Sequence, residues 1–146
     1  MHHVAIMNKS WKLIPKVLSG EKTVESRWYQ TRRTPWDKIA TGDTIFFKNS
    51  SEAVTAEARV LSVKQFEVKN IVDAKDIIEK YGQEICLVDD NPAKWRKLPK
   101  YCILIWLVNP KSVEPPFLVN KKRFGSATAW ITVDNIKKLK INIKVQ

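Results

Sequence analysis

Glycine is scarce in this chain, four in 146 residues. No glycine-rich phosphate loop fits that number, and neither GxGxxG nor the Walker pattern occurs. Cysteine is scarcer still. Cys86 and Cys102 form no CxxC, and two cysteines are too few for a disulfide scaffold. Cys102 lies in an apolar run and reads as a small core residue, and this cysteine usage fits a reducing cytoplasm. Long hydrophobic runs are missing too. The longest, Cys102–Val108, falls far short of the roughly 20 residues that span a membrane. The opening Met1–Met7 has no charged lead-in, long apolar stretch or small-residue cleavage site, so it does not read as a signal peptide. His2 and His3 have no partners at metal-ligand spacing, so neither a metal nor a cofactor is expected.

Positive charge and tryptophan are what the chain has in excess. Lys and Arg total 26 against 15 Asp and Glu, a net charge of +11. Such a charge attracts polyanions at long range and points to a nucleic-acid or nucleotide partner, the plainer reading being solubility. Six tryptophans and 44% hydrophobic residues argue for a packed core rather than disorder. The length predicts one domain over residues 1–146.

Strand signals dominate the pattern. His3–Met7 suits a short strand. Ser10 offers a cap for a helix through Leu18 with Gly20 as its stop, Pro15 being awkward inside it. Thr23–Trp28 is β-prone; Thr23, Glu25 and Arg27 share one face, and Val24, Ser26 and Trp28 the other. Thr44–Lys48 is a strand and Asn49–Glu52 a hairpin loop. Ala53–Val63 alternates, with Val54, Ala56, Ala58 and Val60 on one side. Asp73 or Asp76 caps a helix ended by Gly82, and Asn91-Pro92 starts another. Tyr101–Leu107 is apolar at both parities, as a central strand covered on both sides would be. Pro110, Pro115 and Pro116 break the next stretch, leaving Phe117–Val119 as an edge strand. Ala129–Thr132 is a short strand, and Asp134 caps a last helix with Ile136 and Leu139. The sum predicts an α+β fold: a mostly antiparallel sheet curling into a barrel with flanking short helices.

Polar chemistry concentrates in Gly20-Glu21-Lys22-Thr23-Val24-Glu25-Ser26-Arg27. Cations there hold phosphate or polarise a carbonyl, and a carboxylate accepts from the amine or ring N–H of a base. The plainer reading is a strand face whose charges pair for solubility.

The stretch Leu18–Arg27 resembles the signature of the ASCH domain, Gly-x-Lys-x-x-Glu-x-Arg after a short helix. The resemblance extends through Pro35-Trp36, Ile39, Gly42–Phe47 and Ala129-Trp130-Ile131, and so covers most of the chain. It implies a PUA-like fold, a small barrel with helices around it, and a cleft that binds RNA or a nucleotide, often a modified base. The family also contains enzymes. One branch is an amidohydrolase on acylated cytidines that uses a Lys, a Thr three residues later and a distant Glu. Lys22 matches the Lys, but the Thr position falls on Glu25. Thr23 carries a hydroxyl two residues too early, and Glu67, Glu79 and Glu84 are alternatives for the distant Glu. Ribonuclease activity, also reported in the family, would use Glu25 as general base beside Lys22 or Arg27.

The expected function is therefore an RNA- or nucleotide-binding cleft, with a small hydrolase using Lys22 and Glu25 as the alternative. Candidate ligand contacts are Lys22, Thr23, Glu25 and Arg27, with Lys48, Asn49 and Ser50 as the opposite wall. Arg32 and Arg33, interleaved with Trp28, Tyr29 and Trp36, match the needs of single-stranded RNA, in which planes stack on bases while cations meet phosphates. Trp28 is assigned to the core; Trp36 suits core or ligand equally. Lys121-Lys122-Arg123 and Lys137, Lys138, Lys140 and Lys144 form two basic clusters that suit a phosphate backbone. No membrane contact and no obligate protein partner is expected.

Overall fold

The structure, a computed structural model, describes residues 1–141. Seven strands among them form one mixed, strongly curled sheet: β1 (His2–Met7), β2 (Val24–Tyr29), β3 (Thr44–Asn49), β4 (Val54–Glu67), β5 (Tyr101–Val119), β6 (Trp130–Val133) and β7 (Lys140–Ile141). The order is β2-β5-β4-β3-β1-β6, with β7 on the far half of β5. Only β1 and β3 pair in parallel; the other pairs are antiparallel. Two α-helices, α1 (Leu13–Ser19) and α2 (Ile71–Ile85), complete the α+β half-barrel. No helix among the described residues is long and apolar enough to cross a membrane.

The central strand behaves as its composition dictates. On β5, Ile103, Ile105 and Leu107 enter the barrel interior with Ala5, Phe47, Ala56 and Ala58, and α1 closes that interior with Leu13, Ile14 and Val17. Cys102 and Leu104 face the other way, against Ala74, Ile77 and Ile85 of α2. Burying each Leu or Ile contributes about 1.5–3 kcal/mol. A third cluster, with Val4, Ile6, Phe46 and Ile131, covers the outer face of β1, β3 and β6.

Several boundaries differ from the sequence expectation. Asn70, not Asp73 or Asp76, caps α2, and the helix runs through Gly82 to Ile85. Pro15 is the third residue of α1, within the first turn, where an N–H has no intrahelical partner to lose. The prolines after residue 109 do not end β5. Ala56 pairs with Ser112 but Val54 with Phe117, so Val113–Pro116 bulge opposite a single residue. A bulge skips ladder hydrogen bonds, so prolines fit there, and it bends the strand and helps to curl the sheet. The last helix is a single 3₁₀ turn, Ile136–Lys138, capped by Asn135 rather than Asp134.

His3 is fully buried and ties the start of the chain to β6. The Trp130 indole N–H donates to its Nδ1 at 3.1 Å, and Thr132 Oγ1 lies 2.9 Å from the same atom. An indole nitrogen is only a donor. Nδ1 therefore carries the lone pair, and Nε2–H donates to Asp43 Oδ2 at 2.8 Å. Burial lowers the His3 pKa below 6.5 despite the pull of Asp43. Burial works against ionisation of Asp43, yet bonds from His3, the Ala40 N–H and the N-terminus hold its carboxyl below the usual range.

Because the folded His3 pKa lies below the unfolded one, the unfolded chain takes up the proton first as pH falls. Stability should be full above pH 6.5 and decline below it, by at most about 1.4 kcal/mol per pH unit from this group. Urea denaturation from pH 8 to 5 should show the decline, and His3→Gln should flatten it; an equal slope in both proteins would contradict the assignment.

Candidate functional site

The site is built on β2 and the turn that precedes it. Gly20 ends α1 at φ +82°, a conformation natural to glycine, and donates its N–H to Val17 O. The chain then folds back, and the Lys22 N–H donates to Lys16 O at 2.9 Å. That turn drives the Lys22 side chain inward, where the residue is only 2% exposed. Its Nζ donates to Val24 O at 2.8 Å and to Ile85 O, the last carbonyl of α2. The third side of the ammonium faces Glu25 Oε1 at 3.5 Å.

Arg27, two residues on, performs the matching task at the other end. Its Nη1 donates to Ala129 O at 3.1 Å and its Nη2 to Ile6 O at 3.4 Å. The guanidinium lies 5.0 Å from the Trp130 ring centre. These bonds span the open side of the half-barrel, from edge strand β2 to the end of β1 and the start of β6. Its Nη2 stands 3.6 Å from Glu25 Oε2. Glu25, 3% exposed, is thus held between two cations. Its Oε1 accepts the Ser26 N–H at 2.9 Å, whereas Oε2 is buried with no hydrogen-bond partner.

A cavity of 330 Å³ opens over this carboxylate. Trp11, Trp28 and Trp95 wall it, with Lys22, Glu25, Ser26, Gln30 and Asp89 among the other lining residues. Trp28 and Trp95 meet edge to face at 5.1 Å, and Trp11 is 48% exposed. The Gln30 amide donates to Leu98 O at 3.0 Å, which leaves its Oε1 buried and unpartnered. An adjoining cavity of 300 Å³ shares Trp11, Leu13, Glu25, Ser26 and Trp28 and continues past Met7 and Arg27. The lining combines flat apolar tryptophan faces with Glu25 and Gln30, each of which carries a buried acceptor without a hydrogen bond, a chemistry suited to planar groups with N–H donors.

The predicted residues divide. Lys22, Glu25 and Arg27 come together, but both cations are committed to protein carbonyls rather than turned outward to a phosphate. Thr23 is exposed and lines neither cavity. Arg32 pairs with Glu67 at 3.1 Å and lies over the Trp36 and Tyr101 rings. Trp36 packs edge to face on Tyr101 against the barrel core. Arg33 covers Tyr29 beside a separate small cavity. Lys48 and Ser50 line a different cavity from the one over Glu25, so they are not its opposite wall, and Asn49 bonds Glu52. Lys144 lies outside the described residues. Among the described residues, no three His, Cys, Asp or Glu side chains are placed to hold a metal ion. Sequence reasoning missed Trp11, Gln30 and Trp95; Trp28, favoured there as core, packs against the α2-side core and also lines the cavity.

Neither a protein-family model nor a curated protein sequence matches this chain. Solved structures do. A tyrosine-to-phenylalanine variant of the ASCH protein of Zymomonas mobilis superposes with a TM-score of 0.66 over 94% of this chain and 93% of that one, at 17% identity. The unmodified ASCH structure from the same organism gives 0.62 over 98% of both chains, at 16% identity. This chain has the ASCH fold. The α+β, PUA-like half-barrel implied by the sequence resemblance is therefore its architecture, and the motif Gly20–Arg27 closes that half-barrel along one edge.

Because Lys22 neutralises Glu25 and caps α2 at once, Lys22→Met should cost about 3–5 kcal/mol, the range for breaking a buried pair. Adding Glu25→Gln should recover part of the loss. Urea denaturation of the single and double variants checks this, and a loss below 1 kcal/mol in the single variant would contradict it.

Proposed function

We propose that this chain is an ASCH-domain protein that binds RNA by enclosing one nucleobase in the tryptophan-walled cavity over Glu25. The observation that carries the reading is that two buried acceptors of cavity-lining residues, Glu25 Oε2 and Gln30 Oε1, have no hydrogen-bond partner in the protein. A buried acceptor without a donor costs about 1–3 kcal/mol. A base with an exocyclic amine supplies donors to both, while its ring stacks on Trp28, Trp95 or the exposed Trp11. Uracil, with one N–H and no amine, is the poorest match. The resemblance of Gly20–Arg27 to the ASCH signature and the net charge of +11 support a nucleic acid as the source of the base.

The roles of the motif differ from a phosphate clamp. Glu25 is the ligand acceptor; Lys22 and Arg27 hold it and set its orientation. The half-buried Lys121 and the exposed Lys122, Arg123, Lys137 and Lys138 supply the less specific attraction for the backbone. A hydrolase in the same cleft would use the Lys22 and Glu25 pair, with Ser26 the lining hydroxyl of the main cavity.

Tryptophan fluorescence titrations with guanosine, cytidine, adenosine and uridine test the reading without any phosphate. Amine-bearing nucleosides should bind better than uridine. Loss of a stacking face, at about 1–3 kcal/mol per base, predicts roughly 10- to 100-fold weaker binding in Trp28→Ala. Glu25→Gln should weaken binding by a similar factor. Equal affinity for all four nucleosides, or binding indifferent to both substitutions, would overturn the proposal. Conversion of a nucleoside or RNA that Glu25→Gln abolishes would establish the hydrolase instead.

A further inference from the structure

The outer face of β3 carries a residue its surroundings do not explain. Val4, Ile6, Phe46 and Val54 fill that face with apolar surface, yet Lys48 lies among them at 4% exposure. Among the described residues its side chain makes one hydrogen bond, from Nζ to the carbonyl of Asn49, its own neighbour, at 3.1 Å. Among the described residues, no carboxylate forms an ion pair with it. Glu52, the nearest candidate, is paired with Lys9 at 2.7 Å and accepts from Asn49 at 3.1 Å. A buried ammonium without a counterion carries a desolvation penalty of several kcal/mol. Burial, and next the charge of Lys121, lower the Lys48 pKa against a smaller upward pull from Glu52.

Lys48 lines a cavity of 530 Å³, separate from the tryptophan-walled one. The opposite side is the loop after β5, which brings Lys121 and Lys122 to the same space, and Ser50, Ser51 and Ser126 add hydroxyls. That loop is internally tied. Asn120 Oδ1 accepts the Lys122 N–H at 3.0 Å, and Lys121 O accepts the Phe124 N–H at 2.9 Å. The lining therefore contains three cations and three hydroxyl donors against one carboxylate already paired.

We propose that this cavity is a phosphate-binding site, with Lys48 as the buried counter-charge and Lys121, Lys122 and the three serines as outer donors. The phosphate is either a free anion or one group of a nucleic-acid backbone. The end of β1 runs between the two cavities. Met7 lines the neighbour of the tryptophan cavity, and its carbonyl accepts the N–H of Ser50 at 2.9 Å. A strand with its base at Glu25 would pass close to this second site, but the phosphate site stands without that base.

Thermal unfolding in inorganic phosphate against chloride at equal ionic strength tests the site. Phosphate at ten times its dissociation constant should raise the Tm by roughly 3–6 °C. Lys48→Met should abolish that rise and, by removing the uncompensated charge, raise the Tm without phosphate. The loop variant Lys121→Gln/Lys122→Gln, which leaves the core intact, should reduce the rise independently. The source is read by adding a uridine oligoribonucleotide, the sequence least suited to the tryptophan cavity. If it displaces phosphate, and its log affinity falls less steeply with log salt by about 0.7 in Lys48→Met, the site takes a backbone phosphate; if it does not compete, the site takes a free anion. No phosphate-specific stabilisation of the unaltered protein, or a rise that survives both variants, would overturn the site.

Discussion

The architecture turns on one carboxylate. Glu25 is buried beside Lys22 and Arg27, and each of those cations also anchors a distant element to edge strand β2. Lys22 grips the C-terminal carbonyl of α2. Arg27 reaches across the barrel opening to Ile6 and Ala129. A buried ion pair is worth little by itself, because desolvation offsets the attraction. Here the same cations also donate to backbone carbonyls of α2, of β1 and of the residue before β6. The triad therefore sets where α2, β1 and β6 meet β2, and it leaves one oxygen of a cavity-lining carboxylate without a hydrogen bond.

This arrangement explains why so polar a sequence lies in a structural position. A strand edge that closed the barrel with apolar residues would have no acceptor to offer. A surface carboxylate would offer one already solvated by water. On the proposed reading a base entering between the tryptophans displaces solvent and makes the unfilled bond matter. The basic surface and the cavity, on that same reading, act at different ranges, the first drawing in a polyanion and the second selecting what it holds.

Much of the fold was legible because it depends on local pattern. The two-sided apolar run at Tyr101–Leu107 marks the central strand, and Gly20 marks the end of α1. The long reach of β5 was not, because prolines read as breaks until a bulge opposite β4 accommodates them. The motif identified Glu25, but not its orientation. Lys22 and Arg27 read as phosphate contacts since nothing local reveals that Ile85 and Ala129 lie within their reach. Trp11 and Trp95 stand far apart in sequence on either side of β2. Only the folded chain brings them to one cavity, so neither carried a sequence signal beyond the count of six tryptophans. Lys48, at the end of a short apolar strand, showed its unusual burial only once the apolar face around it was assembled.

The most direct measurement is the carbon-13 resonance of the Glu25 side-chain carboxylate during titration with guanosine. The account predicts that this signal moves in saturable fashion together with the indole signals of Trp28 and Trp95. A ligand that binds while the Glu25 carboxylate stays unmoved, with its shifts confined to residues 121–126, would contradict the claim that this acceptor is what the fold presents.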